Sequence, residues 1–456
     1  MPVRRRTLRA LIGAAASAVP ALSALAQSQT SQAVLPSAPG AAGAAPEPPS
    51  PMEPPSPMSP PSPAAPAVPS APPAPAAPSA PAPAAGSAGT GDALPSSTAP
   101  PGSSIGPESR GQASTDRPVV GSGPNRVALL LPPANGIYRR ASQALLAGVK
   151  AGHEREGQDV ALEIVEINED AFALQALYDE LKQREFAFVI GPLTRSAVGL
   201  VTAAGAPPVP TLALNQPQGG RLPPNLVAFG LSIESEARQI AAAALEEATL
   251  SIGGRRPRAA AVQNASALGR RSAAAFIERW RELGGDVYDP VDVSIATPGR
   301  VRSLLGRVRA DVYFVGASPD VAGAVRLALS GRGVIYGASM LNTGALASAD
   351  DAALGLRSPE LEGVRVLDMP WLLQRDHPAV MAYPRPQGLH LELQRLYALG
   401  IDAFRLTRRL IERDVPLDLD GVTGRLRLDA PEGAAVERLG VMAEYRDGLL
   451  QALTAP

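Results

Sequence analysis

The chain has 456 residues, a formal net charge of −1 and no Cys, which excludes disulfides, thiol nucleophiles and Cys-ligated metals. Its three histidines, His153, His377 and His390, contain no pair at the i, i+4 spacing of a helical zinc site. Near neutrality without a basic run in the body argues against a nucleic-acid partner.

Residues 1–26 read as a signal peptide. Arg4-Arg5-Arg6 and Arg9 form the positive end, Ala10 to Leu22 the apolar stretch, and Ala24-Leu25-Ala26 an A-x-A cleavage site. Cleavage there leaves 38 basic residues against 43 acidic ones, a formal −5. Residues 27–124 hold 26 of the 49 prolines and no aromatic residue. Such a segment buries too little apolar area to offset the entropy of ordering. It is expected to be a disordered spacer biased to extended polyproline geometry, rising about 3.1 Å per residue.

Order is predicted from residue 125 to 456. Val127–Leu131 is a continuous apolar run, the mark of a strand buried on both faces. Helical spacing follows over Arg139–Glu156, with His153 on its polar face. Strands are expected at Val160–Ile167, Phe186–Ile190 and Val209–Leu214, and helices at Phe172–Arg184 and Arg195–Ala204. The pattern then restarts. Helices are predicted at Glu234–Thr249, Gly269–Leu283, Arg300–Arg309 and Asp320–Leu329, and strands at Ala259–Gln263, Asp286–Val293, Asp311–Val315 and Val334–Tyr336. Phe276 and Trp280 share one stripe of their helix. The fold class is α/β with two lobes, each a parallel sheet built of βαβ units. A sheet-return segment at Val364–Leu367, an amphipathic helix at His390–Arg413 and a strand pair Gly424–Asp429 with Gly440–Tyr445 complete the chain. The expected lobes are 125–231 plus 364–456, and 232–363.

Groups that carry chemistry are missing. The one G-x-S-x-G string, Gly102-Ser103-Ser104-Ile105-Gly106, falls in the proline-rich segment away from any strand-to-helix turn, neither Lys150 nor Lys182 has a Ser three residues before it, and no phosphate-binding G-x-x-x-x-G-K-[ST] occurs. Asp418-Leu419-Asp420-Gly421 opens like a calcium loop but lacks the third ligand and the closing Glu, so it reads as a turn. The expectation is a non-enzyme with no cofactor and no metal.

Loops at the carboxyl ends of strands remain, the edge at which α/β sheets bind ligands. In the first lobe they supply Asn135, Gly136, Tyr138, Gly191, Pro192, Thr194 and Asn215. In the second they supply Asn264, Ser266, Ser318, Tyr336 and Ser339. Small polar residues and helix N-termini can hold a carboxylate or amide. The same residues are ordinary turn and cap residues. Tyr138 and Tyr336 are the aromatic candidates. So sparsely equipped a groove favours a partner-binding body.

Val127-Ala128-Leu129-Leu130-Leu131-Pro132, Phe188-Val189-Ile190-Gly191-Pro192-Leu193, Asp368-Met369-Pro370-Trp371, Leu396-Tyr397-Ala398-Leu399-Gly400-Ile401-Asp402-Ala403 and Gly421-Val422-Thr423-Gly424-Arg425-Leu426 occur in that order. Over residues 125–448 this set resembles the C-terminal domain of the LppC family of penicillin-binding-protein activators. The resemblance implies a type I periplasmic binding-protein fold, two Rossmann-like sheets joined by a hinge. It also implies a periplasmic, possibly outer-membrane-associated lipoprotein that stimulates a bifunctional peptidoglycan synthase by contact. Two features depart from that pattern. No Cys follows the signal to accept a lipid, and the Pro/Ala-rich segment stands where a helical-repeat domain precedes the family's domain. The alternative partner is a small molecule, an amino acid or peptide, bound as a solute receptor binds it.

Overall fold

A computed structural model describes residues 117–453 apart from 218, 220, 295–296, 347–355 and 431–432. The signal segment 1–26 and the proline-rich residues up to 116 lie outside the described residues.

The first sheet has the order β1-β3-β2-β4-β5-β6. Its strands are β1 (Val119–Val120), β2 (Asn125–Leu131), β3 (Val160–Glu166), β4 (Phe188–Ile190), β5 (Thr211–Ala213) and β6 (Leu226–Ala228). All pair in parallel except β1, which runs antiparallel to β3. Residues 117–124, expected in the spacer, are therefore part of the fold. Arg117 fixes this entry, ion-paired to Glu180 at 2.8 Å and to the buried Glu163 at 3.3 Å.

Strand alternation explains the layers. Val127, Leu129 and Leu131 face a cluster with Leu145, Val149, Leu399 and Phe404. These belong to α1 (Arg139–Glu156) and to a long late helix, Leu391–Ile411. Ala128 and Leu130 face the other side, against Leu177, Tyr178 and Val198 of α2 (Ala171–Gln183) and α3 (Arg195–Ala203). His153, expected on a polar face, is buried. Its Nε2 meets the Val160 carbonyl at 2.9 Å and its ring lies edge-on to Phe404. The predicted helix surface there is covered by the late helix, which lies 240 residues further along the chain and is invisible to local periodicity.

The second sheet runs β17-β16-β12-β11-β10-β7-β8, with β9 also on β7. The strands are β7 (Arg258–Gln263), β8 (Asp286–Val287), β9 (Val291–Asp292), β10 (Val312–Gly316), β11 (Val334–Gly337), β12 (Arg365–Asp368), β16 (Val441–Arg446) and β17 (Leu449–Ala452). Ala259, Ala261, Val312, Phe314 and Tyr336 pack on α4 (Ile233–Ile252) and α5 (Ala267–Glu282). Ala260, Val262, Tyr313 and Val315 pack on α6 (Pro298–Leu305) and α7 (Pro319–Leu329). Phe276 stacks between Trp280 and Phe314, with centroids at 5.5 and 4.6 Å. The single strand expected at Asp286–Val293 is two pieces, β8 and β9. Pro290 stands between them, and a proline cannot donate to the ladder.

The chain then crosses back through α8 (Pro370–Leu373) and α9 (Pro378–Met381) to α10 (Leu391–Ile411), which packs on α1. A small antiparallel sheet follows, β13 (Leu417–Asp420), β14 (Arg425–Leu428) and β15 (Glu437–Leu439). Its apolar residues join the first lobe's core. Two expectations are corrected here. Residues 364–456 do not return as a block to the first lobe, because β12, β16 and β17 extend the second sheet. The predicted pair 424–429 with 440–445 does not form either. Strand β14 pairs β13 and β15, whereas β16 pairs β12 and β17. One residue, Gly440, separates β15 from β16, so the chain changes lobes within a single step that local pattern cannot reveal. Asp418 and Asp420 are strand residues, and Asp418 is ion-paired to Arg425 at 2.6 Å.

Candidate functional site

The carboxyl ends of β2, β3 and β4 enclose an apolar cavity of about 190 Å³. Its apolar lining is Pro132, Pro133, Ile137, Tyr138, Ile167, Leu193 and Ala197, and Gly136, Asn168, Glu169 and Thr194 complete it. Thr194 is the N-cap of α3, its hydroxyl oxygen accepting the Ala197 amide at 3.2 Å while donating to Glu169 Oε1 at 2.5 Å. Hydroxyls of Ser196 and Thr194 stabilise the ionised Glu169, whose carboxyl lies below its ordinary range.

Of the residues singled out from sequence, the structure brings Gly136, Tyr138 and Thr194 to this cavity. Asn135 is exposed beside it. Others are held in structural roles. Gly191 sits at φ +105°, where a Cβ would lie 2.6 Å from the Leu130 carbonyl, and the Pro192 carbonyl accepts the Leu214 amide. Asn215 donates to the Leu193 carbonyl and accepts the Gln216 amide. Asn264 accepts from Ser266, which caps α5 through the Gly269 amide. Ser318 is the N-cap position of α7. Tyr336 is a core residue and not a groove residue. It is 2% exposed, its hydroxyl bonded to Glu247 at 2.8 Å and to Arg365 at 2.9 Å.

Ser339 lies at the hinge, whose ion pairs give no signal in the sequence. Its amide donates to Glu236 Oε2 at 3.0 Å and its carbonyl accepts from Arg395 at 3.1 Å. Arg395, on α10, is ion-paired to Asp368 at the end of β12 at 2.6 Å, with side-chain exposures of 5% and 1%. Asp368 also accepts from Asn342 and from the Met369 amide. Arg438, on β15, pairs with Glu236 on α4 at 2.8 Å, again buried at 3% and 5%, and donates to the Thr423 carbonyl. Gln239 on α4 donates to the Arg438 carbonyl and accepts the Gly440 amide. Burial disfavours the charge on Arg395, but the Asp368 carboxylate outweighs it and holds the guanidinium above its ordinary range. Both pairs join a first-lobe element to a second-lobe element. A third contact spans the groove nearer the surface, with Glu234 of α4 3.8 Å from Arg195 of α3 and 2.9 Å from Arg271 of α5.

Such an arrangement resists opening. Breaking one buried pair strands an uncompensated charge, at about 3–5 kcal/mol. No group of three or more His, Cys, Asp or Glu residues suited to a metal ion occurs among the described residues. No helix among them is long and apolar enough to cross a membrane.

The family model described as "LppC putative lipoprotein" matches residues 121–294 and 306–448. The penicillin-binding protein activator LpoA of Pasteurella multocida is 26% identical over 335 residues, covering 71% of this chain and 54% of that protein. Full-length LpoA from Haemophilus influenzae superposes with a TM-score of 0.58 at 25% identity, over 72% of this chain and 59% of that one. A Chromobacterium violaceum structure described as a candidate branched-chain amino acid ABC transporter superposes with a TM-score of 0.57 at 30% identity, over 70% of this chain and 99% of that one. The chain spans about half the length of the curated activators it matches.

Proposed function

The chain belongs to the LppC family, and on that premise we propose that it acts in the periplasm as a non-catalytic activator of a bifunctional penicillin-binding protein. The observation that carries the reading is the run of the family match across both lobes, together with curated relatives named as activators. The geometry supports it. A receptor that clamps a solute must open and close, whereas these lobes are tied by Arg395–Asp368 and Arg438–Glu236 in the interior. A preformed surface loses less freedom on binding a protein partner.

The test is a pull-down of the full chain against the organism's bifunctional synthases, with a glycan-polymerisation assay alongside. Saturable binding and a faster polymerisation rate are expected. No binding and no change in rate would overturn the reading, and a saturable thermal shift with a free amino acid would favour the solute receptor.

A further inference from the structure

We propose that the cavity between the loops after β2, β3 and β4 is an anchor pocket for a protein partner, taking one aromatic or leucine-sized side chain flanked by a Lys or Arg. The inference rests on the activator reading for the partner's identity, which is the synthase, but the pocket's chemistry is argued separately.

Size comes first. The cavity measures about 190 Å³, and an apolar cavity of about 150 Å³ accommodates a benzene ring. Its walls are two prolines, Ile137, Tyr138, Ile167 and Leu193. Exposure comes second. Ile137 is 92% and Phe172 85% exposed, the two highest values among the exposed large apolar side chains, and Tyr138 is 44% exposed. Ile137 and Tyr138 line the cavity, and Phe172, the second residue of α2, stands at the same carboxyl edge of the sheet outside the lining. Apolar side chains clustered at a cavity mouth mark a contact surface, whereas scattered ones do not.

Charge decides the occupant. Glu169 is the only Asp, Glu, Lys, Arg or His in the lining. A free amino acid brings a carboxylate and an ammonium, and no cationic side chain lines the pocket to meet the first. The Thr194 hydroxyl is already engaged by Ala197 and Glu169. An apolar side chain with a neighbouring cation matches what is there, apolar walls and one carboxylate. The pocket is also pre-organised, since Thr194 holds both the start of α3 and the Glu169 side chain. Rigid apolar pockets of this kind are where interface energy concentrates.

The full chain is titrated with the organism's bifunctional synthase. Separately it is titrated with two acetylated, amidated peptides, Arg-Phe-Arg and Glu-Phe-Glu, followed by the amide resonances of residues 134–138. Ile137→Asp is expected to weaken synthase binding about tenfold or more. Leu250→Asp and Leu327→Asp, at exposed apolar sites elsewhere, should stay within about twofold. Arg-Phe-Arg should shift residues 134–138, Glu-Phe-Glu should not, and Glu169→Gln should weaken the first peptide. The proposal is overturned if the synthase binds and Ile137→Asp behaves like the two control variants, an outcome that leaves the activator reading standing. It is also overturned if both peptides, or neither, perturb residues 134–138. If no synthase binds but the Arg-Phe-Arg shifts occur and Ile137→Asp removes them, the activator reading falls and the pocket stands.

Discussion

Asp402 and Thr423 are joined twice, the Asp402 Oδ2 accepting the Thr423 amide at 2.7 Å and its hydroxyl at 2.6 Å. The other oxygen, Oδ1, accepts the Val422 amide at 3.0 Å. Val422 in turn accepts the Trp371 amide at 2.9 Å, and the Trp371 ring lies 5.3 Å from that of Tyr397. Three of the segments that carry the family resemblance thus meet in one buried place beside the hinge. They are fold residues. They shape the crossing from α10 to the small sheet, and Gly421 leaves room for the carboxylate, since a Cβ there would lie 2.6 Å from Asp402 Oδ2.

Asp402→Asn should therefore be costly despite its shape. An amide offers one acceptor where the turn needs two, and its NH₂ would face a backbone N–H. A loss of about 2–3 kcal/mol is expected. Urea denaturation followed by tryptophan fluorescence measures it, and an unchanged midpoint would remove Asp402 from the account of the hinge.

Glycine supplies the close approach of α1 and α10. A Cβ on Gly400 would lie 2.3 Å from the Leu145 carbonyl, and one on Gly148 would lie 1.9 Å from the Tyr397 carbonyl. Backbone cannot give way cheaply, so Gly400→Ala should separate the helices and destabilise the first lobe by roughly 2–4 kcal/mol. Gly199 in α3 meets nothing within 4 Å. Gly199→Ala should instead stabilise by about 0.5–1 kcal/mol. Thermal melts of the two variants should move in opposite directions.

The hinge pairs predict a signature that two independent contacts would not give. Glu236→Ala and Arg438→Ala each leave a buried charge unpaired and should each cost about 3–5 kcal/mol. Replacing both with Met removes the charges together, so the double variant should be more stable than either single Ala variant. The two single Met variants close a double-mutant cycle in urea that tests this. Additive losses would mean that solvent reaches the pair and that the lobes are not locked there.

Both lobes were legible in the sequence because each strand is a short apolar run and each helix keeps its own period. Val127–Leu131 and the Phe276–Trp280 stripe needed no distant information. What local pattern missed is non-local. Strand β6 is three residues inside a proline-rich stretch, and β16 changes sheets one residue after β15. The Arg438–Glu236 pair spans 202 positions. Thr194 was visible as a cap, and it also lines the cavity. Tyr336 was read as a groove residue because it ends a strand, but strand alternation points it into the core shared with α4. Ile137 gave no signal in the sequence, since one apolar residue in a loop is ordinary.

Acid should weaken the second lobe through a defined carboxylate. Arg255 donates two hydrogen bonds to Asp311, at 2.8 and 2.6 Å, and the Arg258 amide adds a third at 2.8 Å. The Arg255 contact is the largest cause holding the Asp311 carboxyl below its ordinary range; burial opposes it and the Arg258 amide supports it. Because the folded-state value lies below the unfolded one, near about 3.9, the contribution is full above that pH. It fades as pH falls through the depressed folded value, since protons then bind the unfolded chain first. Asp311→Asn lacks this term. It should be less stable than the natural chain at about pH 7, and the two should converge as pH falls through the depressed folded value. Arg255 is largely exposed, so added salt should shrink the gap at neutral pH. Urea midpoints across this range test the assignment. Parallel curves for the two proteins would show that Asp311 does not titrate with folding.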